Sequence, residues 1–343
     1  MITFHSALHE RHAPSREYFR GELVPCFEKP ARAQYVLDEL RARGHDIREP
    51  FADSRQVLAQ VHSPRYLAFL ESVWSQWLSL DPANASVQPF PSVWPVRTLR
   101  DDVEPANFIA RLGLYSMDNG TPISAGTWVA AKAGADAAAS AAQLLSGGER
   151  RVFCGTRPPG HHAGPDFMGG YCFLNNAAVA AQSLINTGCQ RVAVLDVDYH
   201  HGNGTQSIFY GRSDVMCVSI HGDPTTEYPF YLGHADETGA GEGEGFNLNL
   251  PLAAGTGAKA WFNALDIACA RIKAQGAQAL VVSLGLDTFE GDPISKFRLT
   301  STDYLRLGER ISELNLPCVL VLEGGYAAAE LGINACNVLE ALR

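Results

Sequence analysis

Seven short apolar segments are spread along the chain, and their spacing most constrains the fold. The segments are rich in aliphatic and β-branched residues, which is typical of buried strands in a parallel sheet. They cover residues 1–4, 151–154, 191–195, 215–220, 246–250, 279–284 and 317–322. Alanine-rich stretches of helical composition lie between them, as at 128–145 and 175–187. This alternation predicts an α/β fold, in which residues 1–343 form one large domain with a doubly wound, mostly parallel sheet flanked by helices.

One stretch, Leu80 to Gly126, interrupts the alternation. It is rich in Pro, Asn, Ser and Asp and shows no sustained periodicity. A loop of this length inside a compact domain is either functional or disordered. Its aromatic residues Phe90, Trp94, Phe108 and Tyr115 argue against disorder. We therefore expect an insertion at about 80–126 that orders against a partner subunit, with a self-packed Ω-loop as the alternative.

Composition excludes some classes of partner. A formal charge of −10 with 19% charged residues argues against nucleic acid, whose phosphates require a basic face, and suits a cationic substrate. The eight cysteines lack CxxC spacing, which predicts buried thiols in a reducing compartment rather than disulfides. No signal-peptide pattern and no run of 18 apolar residues is present, so we expect a cytoplasmic protein without membrane contact.

A stretch that contains several potential metal ligands, Asp196 to Gly204, directly follows the strand segment 191–195. In an extended chain, side chains two residues apart point the same way, so Asp198 and His200 project together from the end of a strand. Asp287 follows the strand segment 279–284. Two carboxylates and one imidazole with an open fourth position form a catalytic metal site. Each Asp alone reads as a helix cap, but the set with His200 favours a metal, either Zn²⁺ or Fe²⁺.

Acid–base groups stand in two further loops. His161 and His162 lie in a loop bounded by Pro and Gly, where a histidine pair beside activated water can divide the base and acid roles. Asp196 and Asn203 are the available partners for their other ring nitrogens. Tyr326, after two glycines, can donate a hydrogen bond to a carbonyl oxygen that gains charge. A tight turn that ends in a packing aromatic explains Tyr326 equally well.

Five motifs in the same order resemble the histone deacetylase superfamily, which has the arginase-like fold. These motifs are Pro-Pro-Gly-His161-His162, Gly169-Gly-Tyr171-Cys-Phe-Leu-Asn-Asn176, Asp196-Val-Asp198-Tyr-His200-His-Gly-Asn-Gly204, Ser283-Leu-Gly-Leu-Asp287 and Glu323-Gly-Gly-Tyr326. Within the superfamily the chain is most similar to the bacterial acetylpolyamine amidohydrolases. The markers are Gly21-Glu-Leu-Val-Pro25, Phe27-Glu28, Ile123 to Trp128, His221-Gly-Asp-Pro224, Asp287-Thr-Phe-Glu290 and Asp292-Pro-Ile-Ser295.

The resemblance implies a role for each site residue. Asp198, His200 and Asp287 are expected to bind Zn²⁺. His162 is expected to transfer the proton, and His161, paired with Asp196, is expected to act electrostatically. Tyr326 is expected to polarise the substrate carbonyl. The resemblance also implies a structural K⁺ or Na⁺ held by Asp196, Asp198, His200, Ser219 and Ile220. Asn203 stands where some superfamily members have Asp, and a neutral partner favours a neutral His162 as the base.

The resemblance further implies a substrate tunnel and a homodimer. Tyr171 and Tyr228 are expected to form opposite walls of the tunnel. Glu17 and Asp118 are expected at its mouth, because a substrate ammonium that leaves bulk water needs an anion to meet it. In the resembled enzymes a comparable insertion forms the dimer interface and narrows the tunnel.

These features predict an enzyme that removes acetyl groups from small acetylated polyamines and diamines, such as acetylputrescine and acetylcadaverine. The alternative substrate is acetyl-lysine in proteins or another acyl amide. A non-enzymatic binding protein is expected to have lost Tyr326 or one of the paired histidines, and all three are present. A dimanganese hydrolase needs further bridging Asp ligands, which Asn203 fits poorly.

Overall fold

A computed structural model describes residues 1–342, in which ten strands form two sheets. The strands are β1 (Ile2–Phe4), β2 (Arg16–Phe19), β3 (Glu22–Pro25), β4 (Asp46–Arg48), β5 (Arg151–Cys154), β6 (Val192–Asp196), β7 (Val215–Gly222), β8 (Asn247–Leu252), β9 (Ala279–Leu284) and β10 (Cys318–Leu322). Eight of them pair in parallel in the order β4-β1-β5-β10-β9-β6-β7-β8, and β2 and β3 form a separate antiparallel hairpin.

Ten α-helices cover the sheet. They are α1 (Ala31–Ala42), α2 (Arg55–Val61), α3 (Pro64–Leu80), α4 (Phe108–Leu114), α5 (Thr127–Ser146), α6 (Asn176–Asn186), α7 (Asn203–Phe209), α8 (Ala258–Ala274), α9 (Ser301–Ser312) and α10 (Ala328–Ala341). Local signals fix several of their starts. Helix α3 begins after Ser63, whose hydroxyl accepts the N–H of Tyr66, and α9 begins with a capping box between Thr300 and Asp303. Within residues 1–342, none of the helices combines the length and the apolarity that crossing a membrane requires.

The hydrophobic core lies in two layers, one on each face of the sheet. Alternate strand residues point to opposite layers: Val194 on β6 joins the layer under α2, α3, α5 and α6, and Leu195 joins the layer under α1, α8, α9 and α10. Strands buried on both faces explain the unbroken apolar segments in the sequence. The predicted α/β architecture with a doubly wound parallel sheet is therefore confirmed.

All seven predicted strands are present, and their ends differ from the prediction by at most two residues. The sequence pattern did not indicate β4 or the β2–β3 hairpin. Strand β4 is an edge strand of three residues in which Asp46 and Arg48 pair with each other, so it carries no apolar run. The hairpin lies outside the main sheet, and of its strand residues only Glu17 is fully buried.

The insertion at 80–126 packs partly on its own chain. Helix α4 lies within it, and Phe108, Leu112 and Tyr115 are buried in the core. Nothing in the sequence pattern indicated α4, because seven residues are too short to establish a helical period. The part of the insertion before α4 instead exposes aliphatic side chains. These are Val87, Val93, Val96, Leu99 and Val103.

The sheet order brings the predicted site loops together. Strands β5, β10, β9 and β6 are consecutive neighbours at the centre of the sheet, and all four are parallel. Their carboxyl ends therefore meet at one edge, which is where open α/β sheets place their ligands. The loop with the paired histidines follows β5, and the loops with Tyr326, Asp287 and Asp198 follow β10, β9 and β6.

Candidate active site

Asp198, His200 and Asp287 form one cluster at the carboxyl edge of the sheet. One donor atom from each lies within 4.8 Å of the others, which allows a single ion to reach all three. The imidazole Nδ1 of His200 is 3.0 Å from Asp287 Oδ2 and 3.3 Å from Asp198 Oδ1. The three residues predicted as metal ligands are thus brought together, with both carboxylates fully buried.

Backbone N–H groups orient the two carboxylates. Asp198 Oδ2 accepts the N–H of Gly324 at 2.8 Å, and Asp287 Oδ1 accepts the N–H of Tyr199 at 2.7 Å. Gly324 has to be a glycine here, since a Cβ atom would lie 2.6 Å from Asp198 Oδ2 and 2.7 Å from Asp287 Oδ2. The main chain therefore closes around the cluster and leaves room only for the donor atoms.

The two buried carboxylates of the cluster and His200 shift one another's pKa values. Burial raises the pKa of Asp287, and the neighbouring Asp198 raises it further. Burial opposes ionisation of Asp198 too, but His161 and His200 outweigh it and lower the pKa of that carboxyl. The two carboxylates in turn overcome burial at His200 and raise its pKa to about 10. Without a metal, the proton on His200 supplies the positive charge that a divalent ion would bring, so the donor set fits such an ion.

His161 and His162 are both buried, with ring centroids 4.0 Å apart. His161 Nδ1 is 2.9 Å from Asp196 Oδ2, and His162 Nδ1 is 2.6 Å from Asn203 Oδ1. Glu323 fixes their loop, because its Oε2 accepts the N–H groups of Gly160 at 2.6 Å and His161 at 3.1 Å. Each histidine therefore has the partner that the sequence predicts.

The two imidazoles have opposite pKa shifts. Burial disfavours the charged form of His161, but Asp196 and Asp198 outweigh it and raise its pKa to about 10. Burial also lowers the pKa of His162, and the charges of His161 and His200 lower it further, to well below 6.5. Because Asn203 Oδ1 accepts from Nδ1–H, the neutral His162 keeps an unprotonated Nε2. The pair therefore combines a fixed cation with a free base.

Tyr326 follows β10 and reaches the same edge. Its ring centroid is 5.8 Å from that of Tyr171, and the guanidinium carbon of Arg32 lies 4.7 Å from its centroid. Burial raises the pKa of the phenol, so Tyr326 keeps its proton and remains a hydrogen-bond donor at neutral pH. This is the state that polarising a carbonyl oxygen requires.

A cavity of about 690 Å³ opens above the cluster. Tyr171 and Tyr228 line it, and the Tyr228 ring centroid is 5.1 Å from that of His162. The Tyr228 hydroxyl donates to Asp118 Oδ2 at 2.7 Å, so the insertion reaches the cavity wall. Aromatic and basic side chains surround the opening. They are Phe19, Arg20, Phe230, Tyr231 and Lys296.

Glu17 does not lie at the mouth, contrary to the sequence-based expectation. It is 1% exposed and lies behind Tyr171, whose hydroxyl donates to Glu17 Oε1 at 2.7 Å. Its Oε2 accepts the N–H of Phe27 at 3.1 Å, and burial raises its pKa to about 7. The β2–β3 hairpin turns this side chain inward, so Glu17 supports the tunnel wall and does not contact the cavity.

Of the five residues predicted to hold a monovalent cation, Asp198 and His200 belong to the cluster, and Asp196, Ser219 and Ile220 lie on the neighbouring strands β6 and β7. Asp196 and Ser219 are paired neighbours on β6 and β7, and Ile220 is the next residue on β7. Asp196 Oδ1 accepts the N–H of Asp198 at 3.1 Å, which links Asp196 to the cluster. The cation itself stays a prediction.

Sequence reasoning missed a buried ionic group behind Tyr326. Glu28 is 2.7 Å from Arg157 Nε and 3.1 Å from Arg32 Nη1. Arg32 also donates to the carbonyl oxygens of Glu323 and Gly325, both at 2.6 Å. Arg32 lies in an ordinary amphipathic stretch, and only Glu28 stood near a family marker. No local signal in the sequence pointed to this group.

Comparison with known proteins agrees with this geometry. The histone deacetylase domain profile matches residues 26–342. Acetylpolyamine amidohydrolase 2 of Pseudomonas aeruginosa is 52% identical over 99% of this chain and 98% of its own length. An acetylpolyamine amidohydrolase of Mycoplana ramosa is 44% identical over 97% of this chain and 96% of its own. The crystal structure of acetylpolyamine aminohydrolase from Burkholderia pseudomallei superposes with a TM-score of 0.95 at 38% identity, covering 100% of this chain and 98% of that one. The chain belongs to the histone deacetylase family of amide-hydrolysing enzymes.

Proposed function

We propose that this protein uses a divalent metal to hydrolyse the acetamide of small acetylated polyamines and diamines, such as acetylputrescine and acetylcadaverine. The products are the free amine and acetate. The observation that carries the proposal is the convergence of a three-ligand cluster, a neutral histidine and a protonated phenol at the base of one cavity. Relatives named acetylpolyamine amidohydrolase align with nearly the whole chain, which supports the substrate class.

Asp198, His200 and Asp287 would hold the metal, for which we propose Zn²⁺ with Fe²⁺ as the alternative. When bound, such an ion supplies Lewis-acid activation of water and of the substrate carbonyl. The two buried carboxylates and one imidazole match the three-ligand set of catalytic sites. Asp196, Ser219 and Ile220 would contribute to a K⁺ or Na⁺ site below it.

The side chains above the cluster would divide the proton transfers. His162 Nε2 takes a proton from the attacking water, because its Nδ1 is held by Asn203 and its low pKa keeps it neutral. Tyr326 donates to the carbonyl oxygen as negative charge develops there. His161 stays cationic beside Asp196 and offsets the buried negative charge. His162 then delivers its proton to the departing amine, which completes the hydrolysis.

Asp118 would select substrates that carry an ammonium at the end remote from the acetamide. Within the described residues, two carboxylates besides those of the metal cluster line the cavity, Glu227 and Asp118. Glu227 is paired with Lys296, whereas Asp118 has no basic partner. A substrate ammonium that enters the tunnel loses water and needs such an anion. Tyr171 and Tyr228 both line the cavity, and a passage between two aromatic side chains would favour a thin aliphatic chain over a folded protein surface.

We propose a homodimer built on the insertion at 80–126. The exposed aliphatic side chains between Val87 and Val103, named above, occupy one irregular segment, and a second copy of the chain would bury them. The eight cysteines are all unpaired, which fits a reducing compartment and supports a cytoplasmic location.

The proposal is tested by turnover of a substrate panel with metal-reconstituted protein. The panel contains acetylputrescine, acetylcadaverine, an uncharged N-alkylacetamide of equal length and an acetyl-lysine protein. We expect kcat/KM to be highest for the acetylated diamines. Asp118→Asn should raise KM for acetylcadaverine about 10- to 100-fold, because a charge-assisted hydrogen bond contributes roughly 1.5–3 kcal/mol. The KM for the uncharged amide should change much less.

Asp102→Asn is the matched control for this substitution. Asp102 lies in the same insertion, is exposed and pairs with Arg100 away from the cavity, so it controls for the change in net charge. It should leave both KM values unchanged. Equal effects of Asp118→Asn on the charged and uncharged substrates would show that this carboxylate does not bind the ammonium. Preference for the acetyl-lysine protein would favour the alternative function.

A further inference from the structure

The backbone that carries Tyr326 has little intrinsic rigidity. It leaves β10 through Gly324 and Gly325, and Gly325 has φ +124°, a conformation open mainly to glycine. Helix α10 begins two residues after Tyr326 without a side-chain cap at its N-terminus. Neither flank therefore fixes the direction of the phenol, although the proposed chemistry depends on where its hydroxyl points.

One side chain binds the backbone of Tyr326 itself. Asp292 Oδ2 accepts the N–H of Tyr326 at 2.7 Å, and its Oδ1 accepts the N–H of Ile294 at 3.0 Å. Asp292 is buried, and its backbone N–H donates to the carbonyl oxygen of Phe289 at 3.0 Å. Asp292 thus has a fixed place in its loop and reaches across to the next one.

The loop that contains Asp292 begins at the metal cluster. It leaves Asp287 and returns at Ser295, whose hydroxyl donates to the carbonyl oxygen of Asp287. The same loop contributes Ile294 and Lys296 to the cavity wall. The loop therefore contacts the backbone of Asp287, a predicted metal ligand, through Ser295 and the backbone of Tyr326 through Asp292, whose side chain does not line the cavity.

We infer that Asp292 is a positioning residue that holds the Tyr326 hydroxyl at the correct place relative to the metal cluster. The inference rests on the proposed function. Arg32 fixes the carbonyl oxygens of Glu323 and Gly325, and Asp292 fixes the N–H of Tyr326, so the glycine-rich segment is held from both sides. Loss of the Asp292 contact leaves the peptide unit between Gly325 and Tyr326 held by Arg32 at its carbonyl oxygen but no longer held by Asp292 at its N–H, so this unit can rotate and redirect the side chain.

A double-mutant cycle with Tyr326→Phe tests this inference with metal-loaded protein and acetylcadaverine. Asp292→Ala should lower kcat about 10- to 100-fold, since displacement of a reacting group by about 1 Å costs up to about 100-fold. Its KM should stay within about twofold. In the Tyr326→Phe background the same substitution should lower kcat by less than about threefold, because the hydroxyl it positions is already absent.

Asp292→Asn guards against loss of folding in the alanine variant. It retains one carbonyl oxygen for the N–H of Tyr326 and loses the second acceptor, so its kcat should fall between those of wild type and Asp292→Ala. Metal content and Tm are measured for every variant. Asp303→Asn is the matched control, because Asp303 is equally buried and accepts the N–H of Thr300 at 2.9 Å in the capping box of α9. It should lower Tm and leave kcat unchanged.

Two results would overturn the inference. The first is an equal loss of kcat in the Tyr326 and Phe backgrounds, which would mean that Asp292 acts through metal binding or general stability. The second is wild-type kcat in both Asp292 variants. Either result leaves wild-type turnover intact and so spares the proposed function. A metal-loaded wild type that does not hydrolyse acetylcadaverine would instead contradict the proposed function itself.

Discussion

Replacing Asn203 by Asp should move the acid limb of the pH–rate profile. In the structure His162 Nδ1 lies 2.6 Å from Asn203 Oδ1, and burial, together with the charge of His161, holds the pKa of His162 well below 6.5. The substitution changes one neutral acceptor into a carboxylate at hydrogen-bond distance and keeps the shape of the side chain. It therefore adds one negative charge directly beside the proposed base.

The size of the shift follows from Coulomb's law. Two unit charges roughly 4 Å apart interact by about 4 kcal/mol at an effective dielectric constant of about 20, which corresponds to about 3 pKa units. Burial of the new carboxylate opposes part of this gain. We therefore expect the pKa of His162 to rise by roughly 1–3 units. A raised pKa keeps the imidazole protonated to a higher pH, so the base form is lost over a wider acidic range.

The assay is kcat/KM for acetylcadaverine as a function of pH with metal-saturated protein. Wild type should show no acid limb from His162 at neutral pH, and Asn203→Asp should show a limb moved upward by roughly 1–3 units. Asn203→Ala is the control, because it removes the hydrogen bond without adding charge and should leave the limb at low pH. An unmoved limb in Asn203→Asp would refute His162 as the base.

Three further outcomes test other parts of the account. Tyr326→Phe should lower kcat by about 10²- to 10³-fold with metal content unchanged, and near-normal kcat would mean that the phenol only packs. Val96→Asp combined with Leu99→Asp should convert a dimer into a monomer in sedimentation velocity, and a monomeric wild type would contradict the proposed interface. Burial lowers the pKa of His62 to about 4, while its Nε2 accepts the N–H of Asn175 at 3.0 Å. Below pH 6.5 the unfolded state therefore protonates His62, whereas the folded state does not until about pH 4. As the pH is lowered from 6.5 to 4, His62 alone should reduce the free energy of unfolding by about 1.4 kcal/mol per pH unit. His62→Gln should have a shallower slope by that amount, and an unchanged slope in urea titrations would contradict the assignment.

The sequence predicts that Asp198, His200 and Asp287 lie close together, and it does so for a structural reason. Asp198, His200 and Asp287 follow apolar strands at once, and strand and loop are continuous in the chain. A buried parallel strand can be recognised from a few residues, and its carboxyl end has one possible place in an α/β sheet. The sheet order of β6 and β9 then sets these residues side by side.

The sequence does not predict groups whose position depends on distant contacts. The sequence predicts Glu17 at the mouth of the tunnel, but this residue is buried because a hairpin outside the main sheet folds against Tyr171. Arg32 contacts carbonyl oxygens almost 300 residues away, and no local pattern encodes such a partner. Asp292 belongs to a recognised motif, yet its bond to the backbone of Tyr326 depends on how two loops meet.

The most direct test of the account is a metal titration read out by turnover. The protein is stripped with a chelator and titrated with Zn²⁺, or with Fe²⁺ under anaerobic conditions, while hydrolysis of acetylcadaverine is measured. We predict that activity rises in proportion to added metal and saturates at one equivalent per chain, and that Asp287→Ala neither retains metal nor turns over. Full activity in the stripped protein, or in Asp287→Ala, would contradict the assignment of the metal cluster.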